Sequence, residues 1–281
     1  MIIEQSSIEQ SVAQHYTHGA LEDAILGALS AAGKDTARLV PADLAPVDEF
    51  HIGGRRATID FADEMAITPG LHLLDIGCGI GGASRFFAHE RGCRVTGIDL
   101  TEEYVRAAQS LARRVGLDGQ VAYRQASALA LPFEAASFDG AYMLHVGMNI
   151  EDKAALFGEV RRVLKQGGIF GIYDVMREEA GELGFPVPWA SAAETSFVEG
   201  AAQYRRALEE AGFAVEKTRS RRDFAMEFFR QMRAAAAQGN GPSPLGLHIP
   251  MGRTAPQKVA NMIDNLERSL ISPTEIIARA V

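Results

Sequence analysis

Two carboxylates bracket a glycine-rich turn in this chain. The stretch LHLLDIGCGIGG, residues 71–82, places Asp75 two positions ahead of Gly77, and RVTGIDL, residues 94–100, brings Asp99 to the end of a second apolar run. Gly77, Gly79 and Gly82 satisfy G-x-G-x-x-G, a pattern that can seat a pyrophosphate on a helix N-terminus. Asp75 argues against that occupant, because like charges a few ångströms apart repel strongly in a partly desolvated site. A ligand that carries ammonium and sulfonium charge and no phosphate suits the same corner. Asp99 lies roughly 20 positions beyond the turn, where a carboxylate can accept hydrogen bonds from both hydroxyls of a ribose. Cys78 sits within the turn as a small filler or a nucleophile. Neither it nor Cys93, the other cysteine, has companions at metal-ligand spacing, so no metal is expected.

These groups need a frame. Leu71, Leu73, Leu74 and Ile76 read as a buried parallel strand, and the glycines turn the chain into a helix beginning near Ala83. CRVTGIDL is the second strand, VAYRQAS (residues 121–127) the third, Phe138 to Leu144 the fourth and GIFGIYDVM the fifth. Thr101 is expected to cap the following helix, with Glu102 and Glu103 in its first turn answering the helix dipole. EDKAALFGEVRRVLKQGG is expected to be an amphipathic helix ending at Gly167. FAVEKTRSRRDF contains a sixth strand and SPTEIIARAV a seventh. Between them two helices flank the loop GNGPSPLGLHIPMGRT, an insertion long enough to cover a site or form a subunit contact. Before the first strand come helical patterns, with a helix from about Leu21 to Ala32, and then DEFHIGGRRAT, where a histidine and two glycines precede a helix N-terminus.

With these residues in place, D-I-G-C-G-I-G-G followed by G-I-D-L resembles the first two motifs of the Rossmann-like (class I) S-adenosylmethionine-dependent methyltransferases. F-H-I-G-G-x-x-A-T, residues 50–58, is similar to the stretch ahead of the first strand in the glycine, sarcosine and dimethylglycine N-methyltransferases. The resemblance implies an α/β fold with a seven-stranded sheet of order 3-2-1-4-5-7-6, its last strand antiparallel. It implies S-adenosylmethionine as cofactor, S-adenosylhomocysteine as product, and cofactor contacts at Asp75, Gly77, Cys78, Gly79, Gly81, Asp99, Leu100, Ala126, Ser127, Ala128, Leu144 and His145. Related enzymes often carry an aspartate that receives the adenine amino group ahead of Leu-Pro-Phe; here Ala126, Ser127 and Ala128 occupy those places. His145, just past the fourth strand, is either a general base, which its ordinary pKa near 6.5 would suit, or a packing or cofactor-contacting residue. On the acceptor or lid side stand Tyr16, beside His15 and His18, together with His51 and Arg55 at the mouth, Asn149, and Trp189, the only tryptophan. Each has a plainer reading as a packing, capping or surface residue.

The composition bounds the partners. A net charge of -8 and a pI near 5.4 disfavour nucleic acid. No run of about 18 apolar residues and no secretory pattern stands at the amino terminus, so a cytoplasmic protein without a membrane partner is expected. The organisation expected is a helical lid at 1–45, a core at 46–221 plus 273–281, and a helical insertion at 222–272, through which a homodimer could form. The function expected is methyl transfer to a small molecule, an amine such as a glycine derivative, or alternatively O- or C-methylation of a secondary metabolite. An NAD-dependent oxidoreductase and a non-catalytic binding protein on the same fold are the rivals from other classes.

Overall fold

The computed structural model describes residues 6–17, 19–237 and 245–281, without the side chain at 236; His18 and the GNGPSP part of the insertion loop lie outside them. Three helices precede the core: α1 (Ser7–Tyr16), α2 (Leu21–Ala31) and α3 (Pro41–Asp48). Then come α4 (Gly54–Glu64), β1 (His72–Ile76), α5 (Gly82–Arg91), β2 (Arg94–Asp99), α6 (Glu102–Arg114), β3 (Val121–Gln125), β4 (Phe138–Leu144), α7 (Lys153–Val163) and β5 (Leu164–Arg177). The chain finishes with α8 (Ala201–Glu210), β6 (Phe213–Ser220), α9 (Arg222–Ala237), α10 (His248–Met251), α11 (Ala255–Glu267) and β7 (Ile271–Ala280). The strands form one sheet of order β3-β2-β1-β4-β5-β7-β6, parallel except for β7, which runs antiparallel to both its neighbours.

Because a parallel sheet must be covered on both faces, its central strands carry apolar residues in unbroken runs. Leu74, Ile76, Met143 and Phe170 pack on one side against Leu156, Phe157, Val160 and Val163 of α7 and Tyr204 and Leu208 of α8. Leu73, Val95, Tyr142 and Tyr173 pack on the other against Phe61 of α4, Phe86 and Phe87 of α5 and Val105 and Ala108 of α6. Two further clusters extend this core. Leu21, Ile25 and Leu29, spaced four apart on α2, are fully buried with Leu111 of α6, and full burial stabilises each by roughly 1.5–3 kcal/mol. Trp189 anchors the other with Val187, Phe229, Met262 and Leu266, joining the loop after β5 to α9 and α11.

Two local expectations are corrected. α7 ends at Val163 instead of running to Gly167: Leu164 already pairs with Phe138, across a register shift between Phe138 and Gly140, and LKQGG opens β5. Thr101 occupies the N-cap position of α6, but its side chain makes no capping bond. Glu103 does more than answer the dipole, since its carboxylate accepts from the amides of Gly19 and Leu21 at 2.9 Å each and so holds the start of α2.

Candidate active site

The site begins where β1 and β2 end side by side. Asp75, 2% exposed, accepts a hydrogen bond of 2.6 Å from the Ser84 hydroxyl in the first turn of α5. Burial pushes its carboxyl up to about 7. Asp99 accepts from the Gly79 amide at 2.9 Å and the Thr101 amide at 2.8 Å, so that the turn and the strand end lock each other. Burial raises the Asp99 carboxyl as well. Gly79 has φ +53°, and a Cβ added there would meet nothing nearer than a Tyr104 ring carbon at 3.9 Å. A side chain at 79 would therefore grow into open space beside the two carboxylates.

That space is a cavity of about 250 Å³ walled by the ends of β1, β2, β3 and β4, by α1, and by the residues leading into α4. Asp75, Gly77, Cys78, Gly79, Asp99, Leu100, Ala126, Ser127, Ala128, Leu144 and His145 all line it, as do Tyr16, His51 and Asn149. Three residues expected at the site do not. Gly81, at φ +82°, is reserved for the turn: a Cβ there would strike the Tyr123 hydroxyl, which donates to the Gly81 carbonyl at 3.2 Å. Arg55 turns away over the Phe86 ring and bonds Glu90 at 3.1 Å. Trp189 is buried in the insertion cluster, its indole N–H donating to Ser196 at 3.0 Å, and reaches the site only through its carbonyl, which accepts from Asn149 at 2.7 Å.

Six carboxylates line the cavity, those of Glu9, Asp48, Asp75, Asp99, Glu151 and Asp152, and no lysine or arginine does among the described residues. Glu9 and Asp48 carried no signal in the sequence. Glu9 is the third residue of α1, where it completes a capping box with Ser6, and its other carboxylate oxygen accepts from the Ser127 hydroxyl. Asp48 ends α3 and pairs with the buried Arg85 of α5 at 2.5 Å, fastening the amino-terminal helices to the glycine turn.

The opposite wall is aromatic. Tyr16 donates to the Asn149 side chain at 3.1 Å and stands edge-on to Phe50. His51 is held from behind: the Thr58 hydroxyl donates to Glu49 at 2.7 Å and lies 3.0 Å from His51 Nε2. Its ring and those of His145 and Tyr173 are mutual neighbours, with His145 and Tyr173 centroids 5.1 Å apart. His145 adopts φ +55°, uncommon for a residue with a side chain, and its amide bonds the Tyr173 carbonyl at 2.7 Å. Its Nε2 is sealed from solvent without a protein partner. Burial, with the neighbouring His51, drives its pKa well below the usual histidine value, so the ring is neutral at neutral pH.

Residues 74–172 match the family described as a methyltransferase domain. That span, which runs from β1 into β5, is similar to methyltransferase domains. The donor set suits a cofactor of the S-adenosylmethionine type: a buried carboxylate for an ammonium, a second for ribose hydroxyls, an open glycine between them, and among the described lining residues no cation to neutralise a pyrophosphate. Over 113 residues the domain is 36% identical to a sterol 24-C-methyltransferase of Gibberella zeae, a match that covers 40% of this chain and 30% of that protein. The chain thus spans only about a third of the length of the first curated relatives that it matches, 30% to 36%. Among solved structures, the cyclase SpnF is matched over 100% of this chain and 99% of its own at 23% identity and a TM-score of 0.67. A Haemonchus contortus phosphoethanolamine N-methyltransferase 2 is matched over 98% and 60% at 18% identity and a TM-score of 0.74. At such identities these two establish the shared fold and nothing finer. Among the described residues no helix is long and apolar enough to cross a membrane.

Proposed function

We propose that the protein transfers the methyl group of S-adenosylmethionine to a small molecule held between α1 and the wall of His51, His145 and Asn149. The observation that carries this reading is the single cavity that joins the Asp75–Gly79–Asp99 corner to an aromatic chamber containing two histidines and a tyrosine hydroxyl. The bound cofactor supplies a methyl group activated by its sulfonium charge. The protein's own work is to hold the acceptor atom in line, to exclude water and to accommodate a departing proton. Tyr16, tethered to Asn149, and the buried His51 set the chamber's shape. His145 lines the chamber with a neutral ring, a group that can receive the proton leaving an acceptor N–H or O–H.

The lining bears on the acceptor. Ile8, Val12, Phe50, Val146 and Ile150 make much of the chamber apolar, and no described lining residue offers a cation to a carboxylate or phosphate. This favours O-, C- or N-methylation of a largely apolar metabolite over methylation of a glycine derivative, whose carboxylate would lie among carboxylates. Incubating the purified protein with methyl-labelled S-adenosylmethionine and a fractionated metabolite pool tests the proposal. Label is expected in apolar fractions and is expected to vanish with Gly79→Arg. Cofactor binding without labelled product from any fraction would overturn methyl transfer and favour another use of the same fold.

A further inference from the structure

The corner that should receive the adenine lacks a carboxylate of its own, since Ser127 stands where an acceptor for the amino group is expected. The structure brings one there from a distance of more than a hundred residues. Asp99 marks the ribose, and the Ala126 amide bonds the Asp99 carbonyl at 3.0 Å, so a base attached to that ribose falls against Leu100 and the segment 126–129. Helix α1 comes down on this segment with Glu9, which accepts the Ser127 hydroxyl proton while Ser127 Oγ itself accepts from the Leu129 amide at 3.1 Å.

Resting on the proposed cofactor reading, we infer that the Glu9 carboxylate is the acceptor for the adenine 6-amino group, supplied by the lid helix in place of the core aspartate. Glu9 uses one oxygen for the Ser6 amide at 2.9 Å and the other for Ser127. An ionised carboxylate has about four acceptor positions, so lone pairs remain on both oxygens. The two other carboxylates on this side are less suited: Asp152 caps α7 through the Ala155 amide at 2.8 Å, and Glu151 is exposed. The arrangement also gives α1 two tasks. Its first turn reads the cofactor's base through Glu9 and its last residue, Tyr16, shapes the acceptor chamber, about 10 Å further along the helix axis. A bound adenine therefore holds down the same helix that completes the acceptor wall.

Isothermal titration of the full chain with S-adenosylhomocysteine, and with its analogue in which hydrogen replaces the 6-amino group, tests this. The wild-type protein is expected to bind the amino compound about tenfold or more tightly than the analogue, the scale of one hydrogen bond to a charged group. In Glu9→Ala the two ligands are expected to bind within about twofold of each other. Glu9→Gln, which keeps a capping-box side chain, is expected to fall between. A role for Glu9 confined to capping α1 would weaken both ligands equally and leave their ratio intact. Discrimination that survives Glu9→Ala, or its absence in the wild type, would overturn the inference while leaving the cofactor assignment standing. Failure of the wild type to bind S-adenosylhomocysteine at all would overturn both.

Discussion

The two halves of the cavity are built over different distances along the chain. On the cofactor side, Asp75 is held by Ser84 nine positions away and Gly79 by Asp99 twenty positions away, all within one strand-turn-helix-strand unit. On the acceptor side, Tyr16 meets Asn149 across 133 positions and Asn149 meets the Trp189 carbonyl across 40. The first half is therefore rigid by local construction. The second exists only when α1, the loop after β4 and the insertion are docked together, so it can vary with the acceptor while the first half stays as it is.

If that division is real, substitutions on the two sides should separate stability, cofactor affinity and turnover. The largest effect is expected from Trp189→Ala, which empties the centre of the insertion cluster. A loss of about 3–5 kcal/mol is expected in denaturant unfolding, with cofactor affinity changed less than turnover. Gly79→Arg should do the converse. Cofactor affinity is expected to fall by roughly a hundredfold or more in calorimetry, because the side chain fills the cofactor's path and the residue must hold φ +53°, while the circular dichroism spectrum is kept.

Asp75 allows a finer test through pH. Burial holds its carboxyl at about 7 in the free protein, and only the ionised form attracts an ammonium. Cofactor affinity is therefore expected to drop by roughly tenfold per pH unit below that value and to level off above it. In Asp75→Asn the slope should disappear together with much of the affinity. His145 predicts a different profile for turnover at saturating cofactor: with its pKa well below the ordinary histidine value, the acid limb lies lower than that of binding. The smallest effect belongs to Tyr16→Phe, which removes one hydrogen bond to Asn149. It is expected to cost about 1 kcal/mol in the acceptor's KM and to leave cofactor affinity unchanged. A shift of equal size in both would show that the halves are not separable.

The same difference in distance explains what could be read from residues alone. The strands, their order and the Asp75 and Asp99 corner were legible, since apolar runs, glycine spacing and a strand-ending carboxylate are local signals and their grouping resembles a known fold. Glu9 gave no such signal: as a helix-capping glutamate it is fully explained by Ser6 three residues earlier, and its second task appears only when α1 lies against Ser127. Trp189 stood out as the lone tryptophan, but whether its ring or its carbonyl faced the site depended on docking against α9 and α11. Arg55 pointed to the mouth by its place after F-H-I-G-G, and it is Phe86 and Glu90 on α5 that draw it away. The end of α7 was misplaced for a similar reason, because pairing of Leu164 with Phe138 outweighs a helix pattern that continues to Gly167.

Paired calorimetric titrations of the wild-type chain near pH 8, one with S-adenosylmethionine and one with NAD, bear most directly on the carboxylate corner. Saturable binding of S-adenosylmethionine and no heat from NAD is the expected result, because Asp75 and Asp99 favour a cationic nucleoside and nothing described in the lining neutralises a pyrophosphate. Saturable binding of NAD with none of S-adenosylmethionine would contradict it.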